Sequence, residues 1–310
     1  MLHIIINPAT GAGRGDRIFR TAESVFRETG TAYRVYHSGR KKGIGDIISG
    51  LSGKLKDMPD GDFLDIVIIG GDGSMNEAVN SVVDFERTRI GFIPAGSGND
   101  LARALGLEKD IRKLARRIAS ARCVRLADIG AAEINGKEYL FNISSGLGFD
   151  AETCFRTDRS GAKVVLNRIG LGNLVYITVA LGLIIRNKRF RCRIELKDGS
   201  KRVYNECLFA VGMNRRYEGG GFMFCPEAVD DDGLLDFCVA DRVGSVKFLR
   251  MFPLAFNGRH VMYPEVDIFR AGEVTITTDR PCHIHTDGEA SVVGRKLKLS
   301  VSGKKLMMLD

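Results

Sequence analysis

A chain of 310 residues is long enough for two domains of ordinary size, and 44% hydrophobic against 27% charged residues is the balance of a soluble globular protein, which excludes a disordered chain. The formal charge of +8, with a pI near 9.2, points to anionic partners: nucleotides, acidic lipid surfaces or nucleic acid. The seven cysteines, Cys123, Cys154, Cys192, Cys207, Cys225, Cys238 and Cys282, are odd in number, scattered and free of CxxC pairs, which excludes a disulfide framework and a zinc ribbon and reads as reduced thiols packed in the cores of a cytosolic protein.

The chain opens on MLHIIINPATG, which has no basic leader and only a short apolar run, so it reads as a first strand and not as a signal peptide. From there to about residue 122 strands and helices alternate. Residues 2–6 are a strand; Ile18, Ala22, Val25 and Phe26 mark a helix; residues 32–36 are a strand; Ile44, Ile47, Ile48 and Leu51 mark a second helix. Residues 90–94 give a later strand, and Ile111, Leu114, Ala115 and Ile118 a last helix. This alternation implies a doubly wound parallel sheet covered by helices on both faces, with ligands beyond the carboxyl ends of the strands.

The centre of this half is residues 66–80, IVIIGGDGSMNEAVN. Ile66, Val67, Ile68 and Ile69 read as a strand buried on both faces. The chain turns at Gly70, Gly71 and Gly73, and Met75, Ala78, Val79, Val82 and Val83 then line one face of a helix, with Ser74 and Glu77 as its capping box. A glycine turn between a buried strand and a helix N-terminus suits a phosphate. Asp72 would repel that phosphate unless a Mg2+ ion sits between them. Two more glycine turns end strands of the same sheet, residues 7–13 (NPATGAG) and 94–100 (PAGSGND).

From about Val124 the pattern becomes short alternating strands separated by Gly, Asn and Asp turns, an antiparallel sandwich-like domain. The boundaries are thus 1–123 for an α/β nucleotide-binding domain and 124–310 for a β-sandwich domain, whose last strand could return to the first domain, with an active-site cleft between the two. Residues 169–185 are uncharged between Arg168 and Arg186, but a run of 17 with Asn173, Thr178 and three glycines reads as a buried helix or one leaning on lipid before it reads as a membrane span. Arg189, Arg191 and Arg193 alternate with Phe190, Cys192 and Ile194, giving a strand with a basic face toward water or an anionic bilayer. No helix-turn-helix, zinc finger or paired stacking motif supports nucleic acid as a partner.

Three further motifs lie in the second half. Residues 141–151, FNISSGLGFDA, read on their chemistry as a glycine-rich loop of structural purpose. Residues 219–236, GGGFMFCPEAVDDDGLLD, contain aspartates that would ordinarily mean a solvated turn. In residues 282–289, CHIHTDGE, His283, His285 and Asp287 share one face of a strand, which raises a zinc reading.

These motifs together resemble, in order, the diacylglycerol kinase family. The GGDGT signature shared by diacylglycerol, sphingosine, ceramide and NAD kinases is matched by residues 70–74 with Ser74 in the last place, and the NPxxG and PxGTxND turns by residues 7–11 and 94–100 with Ser97 for threonine. The segments 141–151, 219–236 and 287–289 match the family's GFDA, DDG and DGE segments. The resemblance implies that Asn7, Gly11, Ser38, Gly70, Gly71, Asp72, Gly73, Ser74, Met75, Asn76 and Ser97 line the site of ATP. It implies a Mg2+ ion held by Asp232 and the carbonyls of Val229 and Leu234, and catalysis by Glu289 with Asp287 on the lipid hydroxyl and Asp72 on Mg2+ and phosphates. Phosphoryl transfer asks a protein mainly for positioning, Mg2+ and a carboxylate near the attacking hydroxyl. The implied activity is phosphorylation of a lipid alcohol, diacylglycerol to phosphatidic acid, in phospholipid biosynthesis. The implied enzyme is cytoplasmic and peripherally attached to an anionic membrane surface, and a homodimer is left open. The alternatives are a sphingosine, ceramide or other lipid-alcohol kinase, an NAD kinase, and a non-catalytic nucleotide- or lipid-binding protein.

Overall fold

β1 (Leu2–Ile6) and β3 (Leu64–Gly70) are buried at every position, which is why their sequences are continuous apolar runs and do not alternate. In the computed structural model, which describes residues 1–39, 41–120, 124–158, 179, 182–183 and 189–309, these strands belong to the first of two units. That unit comprises Met1–Ala127 together with Gly303–Asp310; the second is Asp128–Ser302.

In the first unit β1 pairs in parallel with β2 (Tyr33–His37) on one side and with β3 on the other. β3 then pairs in parallel with β4 (Thr88–Pro94), and Met307–Leu309, the end of the last strand β15 (Glu289–Leu309), runs parallel to β4 on its outer side. The helices α1 (Arg14–Glu28) and α5 (Ile111–Ser120) cover one face: Ala22, Val25, Phe26, Leu114, Ala115 and Ile118 form one core with Ile4, Ile6, Val67 and Ile69. Ile5, Ile66, Ile68 and Phe92 alternate with those strand residues and are buried as deeply, so the other face is covered too. There α2 (Ile44–Ser52) buries Ile44, Ile47, Ile48 and Leu51 and lies against α3 (Asp72–Val79).

α3 differs from its sequence pattern at both ends. It starts at Asp72 with Gly71 as N-cap, so Ser74 stands inside the first turn and does not cap; Glu77 instead accepts the N–H of Gly45 at 3.1 Å, at the start of α2. It stops at Val79 with Asn80 as C-cap, leaving Val82 and Val83 beyond it, and Val83 is 73% exposed. Asn80 turns its amide back onto the Asn76 carbonyl at 3.0 Å, a local bond that competes with another helical turn.

The second unit is antiparallel. Its long central strand β9 (Lys201–Met213) pairs with β7 (Ser144–Gly148), β8 (Phe190–Leu196) and β12 (Leu235–Asp241); β12 also pairs with β13 (Val266–Ala271), and β14 (Glu273–Thr286) with β7, β8 and β15. β5 (Val124–Ile134) and β6 (Lys137–Phe141) form a hairpin. Phe141, Phe190, Ile194, Phe237, Leu297 and Leu299 fill one core, each large side chain contributing roughly 1.5–3 kcal/mol by burial. The glycine-rich segment 144–148 is a strand and not a loop, because Gly146 lies so close to β9 that a Cβ would stand 2.8 Å from the Ala210 carbonyl oxygen. It leads directly into α6 (Phe149–Asp158). Residues 266–278, one run in sequence, divide at Gly272 into β13 and β14.

Arg191 and Arg193 of β8 are exposed while Phe190, Cys192 and Ile194 are buried, as the alternation predicts; Arg189, expected on the same face, precedes the strand, is half-buried and donates to the Val243 carbonyl. Six of the seven cysteines, Cys154, Cys192, Cys207, Cys225, Cys238 and Cys282, are free and buried, and Cys123 lies outside the described residues. The uncharged stretch 169–185 lies outside the described residues except for Val179, Gly182 and Leu183, and among the described residues no helix is long and apolar enough to cross a membrane.

Candidate active site

In the first unit three turns converge at the carboxyl ends of β1, β3 and β4. The Asn7 amide donates to the Ser74 hydroxyl at 3.0 Å, tying the first turn to the glycine turn. Gly11 has φ +59°, and a Cβ there would lie 2.3 Å from the carbonyl oxygen of Ala95, so the first turn also abuts the turn after β4. Arg14 fastens both, donating from Nε to the Gly11 carbonyl at 3.1 Å and from Nη2 to that of Gly96 at 3.4 Å. The glycine turn touches the turn after β4 backbone to backbone: a Cβ on Gly96 would stand 2.9 Å from the Gly71 Cα. At Gly70 a Cβ would fall 2.5 Å from that of Ser74.

Asp72 uses both carboxylate oxygens on the start of α4 (Asp100–Ala104), accepting the N–H of Asp100 at 3.1 Å and of Leu101 at 3.2 Å. Asn99, before it, is left-handed at φ +51°, which aims those two amides at the carboxylate. Gly71, as the N-cap of α3, brings no side chain over the first-turn amides, and Gly73 is exposed. That is a cradle of suitable chemistry for a phosphate. Ser97 is exposed beside it; Met75 is wholly buried and reaches the turn only through its backbone, its N–H donating to the Gly71 carbonyl at 3.2 Å. Asn76 accepts from the Asn80 amide. Ser38 is buried at the end of β2 with its hydroxyl on the Ile6 carbonyl at 3.3 Å.

In the second unit Asp287 and Gly288 are the two central residues of the hairpin between β14 and β15, with φ +48° and +84°, as a type I′ turn requires. The Asp287 carboxylate folds back over the start of β7. Oδ1 accepts the N–H of Ile143 at 2.7 Å and of Ser144 at 3.1 Å, and Oδ2 accepts the N–H of Asn142 at 2.7 Å and its side-chain amide at 3.3 Å. Asp287 thereby binds backbone, whereas Glu289, cross-strand from Thr286, is exposed.

The zinc triad suggested by residues 283–287 does not form. The carboxylate of Asp287 is engaged with residues 142–144; His283 stacks on Phe155 with ring centroids 4.0 Å apart and its Nε2 is 3.5 Å from Glu152 Oε2. His285 lies between two other acids: its Nε2 is 2.5 Å from Asp150 Oδ2, and its Nδ1 is 3.4 Å from Glu218 Oε1 and 3.3 Å from the Gly288 nitrogen. Burial would lower the pKa of His285, but the Asp150 and Glu218 carboxylates more than reverse this and raise it. Glu218 is raised as well, by burial first and then by the like charge of Asp150. Sequence spacing concealed this group, since Asp150, Glu218 and His285 come from α6, the short strand β10 (Tyr217–Glu218) and β14.

The loop 229–234 is fixed from behind. The Asp230 carboxylate pairs with Arg215 at 2.8 Å, both residues buried, and Asp128 Oδ2 accepts the Gly233 N–H at 2.9 Å. Asp232 remains exposed, its Oδ1 accepting the Leu234 N–H at 3.0 Å. With the Val229 and Leu234 carbonyls this is an all-oxygen donor set, which fits Mg2+.

The diacylglycerol kinase catalytic domain family matches residues 1–132, and the family described as YegS C-terminal NAD kinase beta sandwich-like domain matches residues 145–301. A diacylglycerol kinase of Mycobacterium tuberculosis is 32% identical over 225 residues, 72% of this chain and 70% of the relative. The crystal structure of a diacylglycerol kinase from Bacillus anthracis is similar in fold, with a TM-score of 0.69 at 20% identity over 99% of this chain and 96% of that one. An NAD kinase from Archaeoglobus fulgidus in complex with ATP is similar more distantly, with a TM-score of 0.51 at 12% identity over 100% and 94% of the two chains.

Proposed function

We propose, from the premise that this chain belongs to the diacylglycerol kinase catalytic domain family, that it transfers the γ-phosphoryl group of ATP to the hydroxyl of diacylglycerol, giving phosphatidic acid and ADP. Membership makes the chain an ATP-dependent lipid kinase; the acceptor is the finer step, and the name of the Mycobacterium tuberculosis relative supports it. The observation that carries the reading is the contrast in the Asp287-Gly288-Glu289 turn, where one carboxylate is bound to backbone and the other is exposed at the strand start.

In this reading the amides of residues 71–74 and the turns at Asn7, Gly11 and Ser97 receive the nucleotide phosphates, with Gly11, Gly70 and Gly96 allowing the close approach. Asp72 holds the start of α4 so that the turn 94–100 keeps its shape. Glu289 takes the proton of the lipid hydroxyl as its oxygen bonds to the γ-phosphorus and the bond to the ADP oxygen breaks. Asp287 positions Glu289 by locking the hairpin. Mg2+ bound with the nucleotide would neutralise phosphate charge, and Asp232 with the Val229 and Leu234 carbonyls would hold a second, structural ion. Arg191 and Arg193 on the open face of β8 supply the attraction for an anionic membrane surface, where an apolar acceptor must be met.

The test is transfer of labelled phosphate from ATP and Mg2+ to diacylglycerol, monoacylglycerol, sphingosine, ceramide and phosphatidylglycerol in mixed micelles, with Glu289→Gln as control. Phosphatidic acid from the wild type alone is the expected result. Label on sphingosine or ceramide would correct the acceptor, and undiminished transfer by Glu289→Gln would remove Glu289 as the base.

A further inference from the structure

The second unit buries an acid–imidazole–acid group that the phosphotransfer reading does not use. His285 is fully buried, Glu218 is 6% exposed and Asp150 8%, and one possible ligand atom from each lies within 4.8 Å of the other two. Two carboxylates and one imidazole meet from three different elements, so the grouping is built by the fold and not by local sequence.

A second observation separates this group from an ordinary buried ion pair. Both carboxylate oxygens of Glu218 are shielded from solvent, and among the described residues neither accepts a well-formed hydrogen bond, although the Ser144 hydroxyl lies close enough to act on the carboxylate. Asp150 Oδ2 likewise meets only the His285 ring across 2.5 Å. Carboxylates in protein interiors are normally satisfied by several donors, because an uncompensated buried charge is strongly destabilising. Asp287, next in sequence to Gly288, whose N–H approaches the His285 ring, shows the normal case with four donors. The imidazole has only two nitrogens to offer two carboxylates, and Nδ1 is approached by the Gly288 N–H as well. The group is therefore rich in electron pairs and short of hydrogen-bond donors.

We propose that Asp150, Glu218 and His285 are a binding site for a divalent first-row transition-metal ion such as Zn2+, held through one ring nitrogen and one oxygen of each carboxylate. Two carboxylates, a neutral imidazole and a divalent cation sum to zero charge, which is what a buried site needs. The mixed nitrogen and oxygen donors favour Zn2+ or its neighbours over Mg2+, in contrast to the all-oxygen loop at Asp232. Ligand bonds of ~2.0–2.2 Å would part the Asp150 oxygen and the ring nitrogen from 2.5 Å to ~3 Å, a movement of side-chain atoms only. The ion would fix His285 and, through the Gly288 N–H, the hairpin that carries Asp287 and Glu289.

The experiment uses the full chain, stripped with a chelator, equilibrated with Co2+ or Zn2+, and passed through a desalting column. Bound metal is counted by mass spectrometry, Co2+ coordination is followed by visible absorption, and circular dichroism checks the fold. The expected result is one Co2+ or Zn2+ per chain in the wild type and in Asp232→Asn, with the ion lost in His285→Gln and bound at least about tenfold more weakly in Glu218→Gln. Glu218→Gln is isosteric and removes a like charge beside Asp150, so it tests the site even if His285→Gln does not fold. A wild-type chain that retains neither Co2+ nor Zn2+ would overturn the site, as would the same content and spectrum in Glu218→Gln as in the wild type. Both readouts are independent of lipid phosphorylation.

Discussion

Asp287 Oδ2 accepts the backbone N–H of Asn142 at 2.7 Å, although the two residues are 145 positions apart. With the amides of Ile143 and Ser144 and the Asn142 side chain, this makes Asp287 the clasp between the β14–β15 hairpin and the start of β7. Asp287→Ala removes the acceptor from three backbone donors at once, and it is expected to cost about 3 kcal/mol of stability, together with activity. Glu289→Gln, at an exposed position, is expected to change stability by less than ~0.5 kcal/mol while lowering turnover ~10²–10⁴-fold. Urea titration beside phosphate-transfer rates separates the two; equal destabilisation by both variants would contradict this division of roles.

Asp72 does two things that one substitution can divide. Its carboxylate bonds to the amides of Asp100 and Leu101, so Asp72→Ala should lower stability by about 1 kcal/mol, as loss of a helix cap does. Asp72→Asn keeps one acceptor oxygen and should recover part of that loss. If the charge also acts on Mg2+ and phosphates, lipid phosphorylation stays abolished in both variants; recovered turnover in Asp72→Asn would confine the residue to the cap.

Much of the first unit was legible because its helices and strands bury what their spacing says they bury. Ala22, Val25, Phe26, Ile44, Ile47, Ile48, Leu51, Leu114, Ala115 and Ile118 are all core residues. The limits of α3 were not legible, because a glycine can cap without a side chain and Asn80 can end a helix by bonding to its own backbone. In the second unit β7 was concealed: its glycines serve close strand packing at Gly146, a reason that depends on β9, more than fifty residues later. The same holds for Asp150, Glu218 and His285, whose meeting has no signature in spacing. His285 was visible only as one of three possible zinc ligands with His283 and Asp287, and the fold gives these residues separate partners.

Gly11 and Gly13 offer a controlled pair. Both have positive φ, +59° and +87°, so alanine at either carries a backbone cost of roughly 1–2 kcal/mol. Only at Gly11 would the new Cβ also meet a backbone oxygen, that of Ala95 at 2.3 Å; at Gly13 nothing lies within 4 Å. Gly11→Ala should therefore push the first turn off the turn after β4 and weaken ATP binding by at least about tenfold, with a drop in stability exceeding that of Gly13→Ala. Titration of each variant with ATP, alongside thermal melts, checks this. Equal ATP affinities in the two would mean that the contact between these turns does not shape the nucleotide site.

His260 predicts an acid limit to stability that does not involve the turn at Asp287 and Gly288. It is buried, with Nε2 3.1 Å from the Phe224 carbonyl, Cys238 Sγ 4.0 Å away, and Nδ1 enclosed without a hydrogen-bond partner. The Nε2–H donates to Phe224, so a second proton would have to enter at Nδ1, where no acceptor meets it. Burial accordingly lowers the pKa below the ordinary 6.5, against a smaller opposing effect of the Phe224 carbonyl. A depressed folded-state pKa means that the unfolded chain binds the proton first. The contribution of His260 is therefore complete above pH 6.5 and is lost as pH falls below that value toward its folded-state pKa. Melting temperature measured from pH 7.5 to pH 5 should fall more steeply for the wild type than for His260→Gln, which keeps a donor for Phe224 and cannot be protonated. Parallel curves for the two proteins would show that His260 is not the group whose protonation opens this part of the fold.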